Sequence, residues 1–219
     1  MSRQLLVLAA IMTILAGSAQ ATDTSLGLGI GATAGFGGQA DITFDNFTRT
    51  TPLGLRFSAA YSTRDAGNAM DARHVFINNN TNGTPESSAN TWQMRLDLLF
   101  PLGKIGSVPL RMGVGARKAL FTGTYDFVGG NEKFDVTSNP WGLGALLETA
   151  LPMSDKVDFH LQLGIDYYFD SRLEGHDTAY EPDGDDVNPR EDYTWEDADA
   201  AVNQPSVEVL GLLGIRIKL

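Results

Sequence analysis

Residues 157–170 read VDFHLQLGIDYYFD. Val157, Phe159, Leu161, Leu163, Ile165, Tyr167 and Phe169 fall on one face of this stretch, and Asp158, His160, Gln162, Gly164, Asp166, Tyr168 and Asp170 on the other. A strict period of two places successive side chains on opposite sides of a β-strand. The run also outlasts the usual strand of a soluble sheet.

The same alternation recurs on both sides of it. Leu53, Leu55, Phe57, Ala59 and Tyr61 alternate with Gly54, Arg56, Ser58, Ala60 and Ser62, and Trp92, Met94, Leu96, Leu98 and Phe100 with Gln93, Arg95, Asp97 and Leu99. Leu110 to Arg117, Trp141 to Thr149 and Val207 to Leu219 repeat it. Near the N-terminus, Leu26, Leu28, Ile30 and Ala32 alternate with glycines, and Ala40, Ile42 and Phe44 with Gln39, Asp41, Thr43 and Asp45. Reading the break at Gly35 to Gly38 as a tight turn gives about eight strands; one long bent strand would give seven.

The links between strands alternate in length. Asn46–Pro52, Pro101–Pro109 and Pro152–Lys156 are short, whereas Thr63–Asn90, Thr122–Asn139 and Ser171–Pro205 are long. Short turns on one side and long loops on the other are the habit of membrane barrels. The predicted fold is therefore all-β: a closed, antiparallel, up-and-down transmembrane β-barrel of about eight strands. Beyond the leader, no segment has the ~20 apolar residues of a membrane helix. A membrane-embedded chain of this kind must close into a barrel to satisfy its backbone.

Which face meets lipid is decided by aromatics and charges. Tyr61, Trp92, Trp141, Tyr167 and Phe169 sit on the apolar face near one end of their strands, and Phe44 and Phe100 on the same face near the other. Two such girdles mark the two interfaces of a membrane. The opposite face carries Arg56, Arg95, Asp97, Arg111, Arg117, Glu148, Asp158, His160, Asp166, Glu208 and Arg216, with Asp41 and Lys218. Inside a narrow barrel these can pair into a charge network, since an unpaired buried charge is very costly. The competing reading is the wetted face of a soluble sheet.

Residues 1–21 read as a signal peptide: Arg3, an apolar run from Leu5 to Ala16, and Ala19-Gln20-Ala21 as cleavage site. A retained anchor is the alternative. The remaining chain, 22–219, is one domain. Its acids exceed its bases, since the whole chain has net charge −11 and the leader removes one cation. That disfavours a nucleic-acid partner, which needs a basic surface. There are no cysteines, hence no disulfides.

Gly214, Ile217 and Leu219 fit a polar-x-Gly-x-x-apolar-x-apolar pattern on the last strand. With this pattern the chain resembles the small outer-membrane barrels of the OmpA, OmpX and OmpW type. The sequence departs in Leu212, where a polar residue is usual, and in ending on Leu219 rather than Phe. The resemblance implies an outer-membrane location, contact with lipid and lipopolysaccharide, and insertion by the barrel-assembly machinery.

No residue set points to an enzyme or a cofactor. His160 lies on the polar face, and Ser58 or Ser62 would have to serve as its nucleophile; a histidine within the polar network is the simpler reading. Outer-membrane lipid A deacylases carry His-x-Ser on a strand, where this chain has His160-Leu161-Gln162. His74 and His176 lie in long loops near acids, as rim residues of outer-membrane proteases do. The last long loop is strongly acidic, and Asp183, Asp185 and Asp186 offer oxygen ligands to Ca²⁺ without completing a twelve-residue calcium loop. Divalent ions could bridge that loop to lipopolysaccharide phosphates, but plain solvation is the simpler reading. The loops are left as the place for a partner, and a small-solute or ion channel stands as the alternative.

Overall fold

The computed structural model describes residues 23–46 and 52–219. Residues 1–22, on which the expected signal peptide falls, and 47–51 of the Asn46–Pro52 link lie outside the described residues. Eight strands close a ring: β1 (Asp23–Thr33), β2 (Phe36–Asp45), β3 (Gly54–Arg64), β4 (Thr84–Ile105), β5 (Val108–Val128), β7 (Trp141–Pro152), β8 (Val157–Tyr168) and β11 (Val207–Lys218). All neighbours are antiparallel, and β1 pairs with β11 from Ser25↔Lys218 to Thr33↔Leu210, so the ring has no edge. Three short strands stand outside it: β6 (Lys133–Ser138), β9 (Leu173–Gly175) and β10 (Thr178–Tyr180).

The N-terminal residues form two strands, as the eight-strand reading requires. The turn between them is Ala34–Gly35, not Gly35–Gly38; Gly37 and Gly38 already pair with Gly31 and Ile30. Ala34 takes φ 55° and Gly35 φ 130°, and this pair of left-handed residues makes so tight a reversal possible.

Most ring strands run 10–12 residues, about what a tilted crossing needs. β4 and β5 are 22 and 21 residues long and project past both ends of the ring. At the lower end they continue as a ribbon to Ile105 and Val108, so the Pro101–Pro109 link is mostly strand, with a bulge between Pro101 and Gly103. At the upper end they form a ribbon onto which β6, β9 and β10 add in turn.

The long links are therefore not open loops. Thr63–Asn90 contains α1 (Ala69–Phe76), capped by the Asn68 side chain, and Ser171–Pro205 contains α2 (Trp195–Ala201), started by a Thr194–Asp197 capping box. An isolated bridge between Gly67 and Val202 ties the two segments together. With the upper ribbon these elements build a folded cap. Its core contains Ala66, Val75, Phe76, Phe121, Tyr125, Phe127, Phe134, Val136, Leu173 and Tyr180, and is the largest apolar core among the described residues. Phe76 meets Tyr180 edge-on at 5.5 Å, and Tyr125 stacks on Phe134 at 5.2 Å. The Arg73 guanidinium lies 4.4 Å over the Phe127 ring and donates to the Asn82 carbonyl at 2.9 Å.

Candidate functional site

The ring is polar inside and apolar outside. Leu28, Ile30, Leu143, Leu163, Ile165 and Leu213 are exposed on its exterior, whereas Arg56, Arg95, Asp97, Arg117 and Asp166 are buried within it. A soluble barrel has the opposite polarity; an apolar exterior band around a polar interior belongs to a barrel in lipid. Tyr61, Trp92, Trp141, Tyr167 and Phe169 lie exposed on the outward face. Tyr61 is paired with Trp92 across β3 and β4, with rings 5.0 Å apart. Tyr167 meets Phe169 edge-on at 5.6 Å, and Phe169 donates its N–H to the Trp141 carbonyl. Phe44 and Phe100 lie on the outward face at the lower end. Phe36, which the alternation scheme left inside a turn, adds an exposed outward ring at the upper end.

The interior charges gather in two layers. In the upper layer Arg117 pairs with Asp97 at 2.7 Å and with Asp166 at 2.5 Å, and Arg95 reaches the same Asp166 at 3.2 Å. Arg95 also donates to Gln39 at 2.5 Å and Thr33 at 2.7 Å, and Gln93 donates to the Tyr168 hydroxyl at 3.0 Å. In the lower layer Glu148 accepts from three arginines: Arg56, Arg111 and Arg216. Arg111 further binds Asp45 at 2.5 Å, and Arg56 lies 3.6 Å from Asp41. Burial of this many charges is tolerable only because each faces an opposite one.

Some expected members lie apart. Asp158 pairs with Lys218 at 2.9 Å at the lower rim, and Glu208 with Arg64 at 2.5 Å near the upper rim. Arg64 is a member that strand alternation missed because its strand seemed to end at Ser62. His160 is buried inside the ring, and neither of its ring nitrogens has a hydrogen-bond partner among the described residues; Ser58 Oγ has none either. Ser62 Oγ donates to the Ala34 carbonyl at 3.4 Å. His160 thus makes no hydrogen bond to either serine.

Small residues make the interior possible. A Cβ on Gly144 would overlap both Asp166 Oδ1 and Arg117 Nε, so this glycine is the space that the upper ion pair occupies. Not all of the lumen is polar: Leu146, Leu210 and Leu212 pack together inside the wall. This accounts for Leu212 at a place where a polar residue is usual. Gly214 faces inward beside Gly29, while Ile217 lies on the outward face opposite Leu26. Leu219 donates its N–H to the Thr24 carbonyl at the lower end.

A vestibule of about 360 Å³ opens at the lower end, lined among others by Arg111, Glu148, Asp158, Arg216 and Lys218. Above the opposite end, the segments that follow β3 and precede β11 meet at the Gly67–Val202 bridge. On the cap, Asp71, His74, Tyr193 and Asp197 line a cleft between α1 and α2. His74 sits there through its chain position; its carbonyl accepts from Arg190 at 2.6 Å. His176 is exposed, 3.4 Å from Asp177. Asp186 Oδ1 accepts from the Glu181 N–H at 2.7 Å and Asp183 Oδ1 from the Asp185 N–H at 3.3 Å, so these carboxylates serve local turns. Among the described residues no three His, Asp or Glu side chains are placed to hold a metal ion.

No protein-family model and no curated protein sequence matches the chain. Solved structures do. A major outer membrane protein from Thermus thermophilus superposes with a TM-score of 0.74 at 24% identity, over 91% of this chain and 100% of that one. Neisserial surface protein A matches at TM-score 0.40 and 14% identity over 90% and 95% of the two chains. CarO2 of Acinetobacter baumannii matches at 0.45 and 10% over 92% and 100%. The first likeness shows the fold: this chain has the fold of an outer-membrane β-barrel.

Proposed function

We propose that the chain is an integral outer-membrane protein whose barrel carries a preformed external cap as an interaction surface, and is not an open pore or an enzyme. The observation that carries this reading is the double closure of the lumen. Arg117, Asp97 and Asp166 interlock across it, and the apolar core around Phe121 and Tyr125 packs over its upper mouth. Rigid attachment suits a surface that must be presented rather than formed on contact. The leader at 1–21 and the pattern Gly214, Ile217 and Leu219 support export and insertion by the barrel-assembly machinery. Lipid and lipopolysaccharide are the expected surroundings of the apolar belt.

Two measurements test the reading. The protein from membrane fractions should migrate differently on a gel before and after boiling, as a folded barrel does. Refolded in a planar bilayer, it should give no reproducible conductance. A steady conductance that changes with Arg95→Ala or Glu148→Ala would establish the channel instead. A change in lipid A composition that depends on the protein would establish an enzyme.

A further inference from the structure

Within the apolar belt, the outward face of the eight ring strands carries one charged side chain among the described residues, Lys118. On β5 it follows Leu110, Met112, Val114 and Ala116 on the outward face, and it pairs across the sheet with Met94 and Trp141. A lysine facing lipid is unfavourable deep in the bilayer and tolerated near its interface. Lys118 is at such a level, because Trp141 belongs to the upper girdle and Thr122 and Thr124 follow on the same face.

Its surroundings are rich in donors. The ammonium lies 4.8 Å from the Trp141 ring centre. It donates to the Asn139 carbonyl oxygen and, at 3.0 Å, to Asn139 Oδ1. That leaves its third hydrogen. Because Oδ1 of Asn139 is the acceptor, the amide nitrogen of that exposed side chain is left as a donor. The ammonium and the Asn139 amide thus sit side by side against the Trp141 ring at the level where lipid headgroups begin, with Leu143 exposed below them for acyl chains.

We propose that Lys118, Asn139 and Trp141 form a binding site for the phosphate of an outer-leaflet lipid. A charged acceptor shared by the ammonium and the amide suits charge-assisted hydrogen bonding, the Trp141 ring holds the ammonium in place, and the apolar belt supplies the surface for the rest of the molecule. The proposal rests on the membrane reading above. The occupant is a membrane lipid rather than free phosphate, because the donors open onto the belt.

Native mass spectrometry of the full chain, folded in detergent, tests it. Phosphatidic acid should be retained, whereas diacylglycerol with the same chains should not, and inorganic phosphate should not displace the lipid. Lys118→Gln should reduce retention about fivefold, Lys118→Arg should preserve most of it, and Lys133→Gln on the exposed upper ribbon should leave it unchanged. Equal retention by Lys118→Gln, equal retention of diacylglycerol, equal loss in Lys133→Gln, or displacement by inorganic phosphate would each overturn the site. The gel shift on boiling, run on every variant, separates the two readings. A wild type that does not shift fails as a membrane barrel; one that shifts but holds no lipid phosphate fails only here.

Discussion

Arg117 and Phe121 stand on the same face of β5 in opposite surroundings: Arg117 is ion-paired with Asp97 inside the ring, and Phe121 is 1% exposed in the apolar core of the cap. The outward face changes in the reverse sense, from Leu110, Met112, Val114 and Ala116 to Thr122, Thr124 and Asp126. β4 repeats the outward half of this exchange. Its outward Leu98, Leu96, Met94 and Trp92 give way to Asn90, Ser88 and Glu86, while inward Asp97, Arg95 and Gln93 are followed by Thr91, Ala89 and Ser87. One unbroken strand thus serves two solvents. In lipid it turns its apolar side out; above the membrane, water takes that side and the apolar side turns in.

Glu148 should be the most costly single interior residue to remove. It neutralises Arg56, Arg111 and Arg216, and removing one partner of a buried ion cluster costs about 3 kcal/mol or more. Glu148→Ala is expected to lower the urea midpoint of the folded, unboiled gel band markedly, and Asp158→Ala at the rim much less. Equal effects would show that the lower layer contributes no special stability.

Interior and exterior glycines should differ. Gly144→Ala forces a methyl group into the Arg117–Asp166 pair and is expected to cost about 2 kcal/mol. Gly38→Ala faces outward with only the Gly29 carbonyl oxygen at 3.5 Å and should stay within about 0.5 kcal/mol of the parent. The same urea series reads both.

The cap should come apart without the barrel. Phe121→Ala removes a buried ring from the cap core, a loss of about 3 kcal/mol or more. Limited proteolysis is expected to cut the variant within 77–83 and 181–193, while the gel shift on boiling persists. Loss of both together would mean that cap and barrel fold as one unit.

Alkali should loosen the cap. Burial raises the pKa of the Tyr125 hydroxyl, with the nearby Asp65 charge adding to it, and the hydroxyl donates to the Ala66 carbonyl at 2.5 Å. An unfolded tyrosine ionises near pH 10, whereas the buried one stays neutral to higher pH. The unfolded cap therefore binds fewer protons above about pH 10, and stability falls as pH rises through that range. Protease sensitivity of the cap should rise there, and less steeply in Tyr125→Phe.

The ring was legible in the sequence because a membrane strand alternates without interruption. Val157 to Tyr168, Trp141 to Thr149 and Leu53 to Ser62 announce both strand and facing. The interior charges followed from the same phase, although which acid meets which arginine did not, since partners such as Arg56 and Glu148 come from distant strands. The cap was missed for a physical reason. Past Leu120 the apolar phase moves to the other face, so Phe121, Tyr125 and Phe127 looked like the end of a pattern rather than its inversion. The helices, of 8 and 7 residues, were too short to show a period.

A spin-label accessibility scan along the outward positions of β5, from Met112 to Asp126, in the protein inserted into lipid vesicles, tests whether the strand crosses from lipid into water. Labels at 112, 114 and 116 should be reached by oxygen and shielded from a water-soluble paramagnetic ion. Labels at 122, 124 and 126 should show the reverse, with the crossover at 118–120. Accessibility to the water-soluble ion along the whole outward face would contradict the membrane barrel and the cap boundary together.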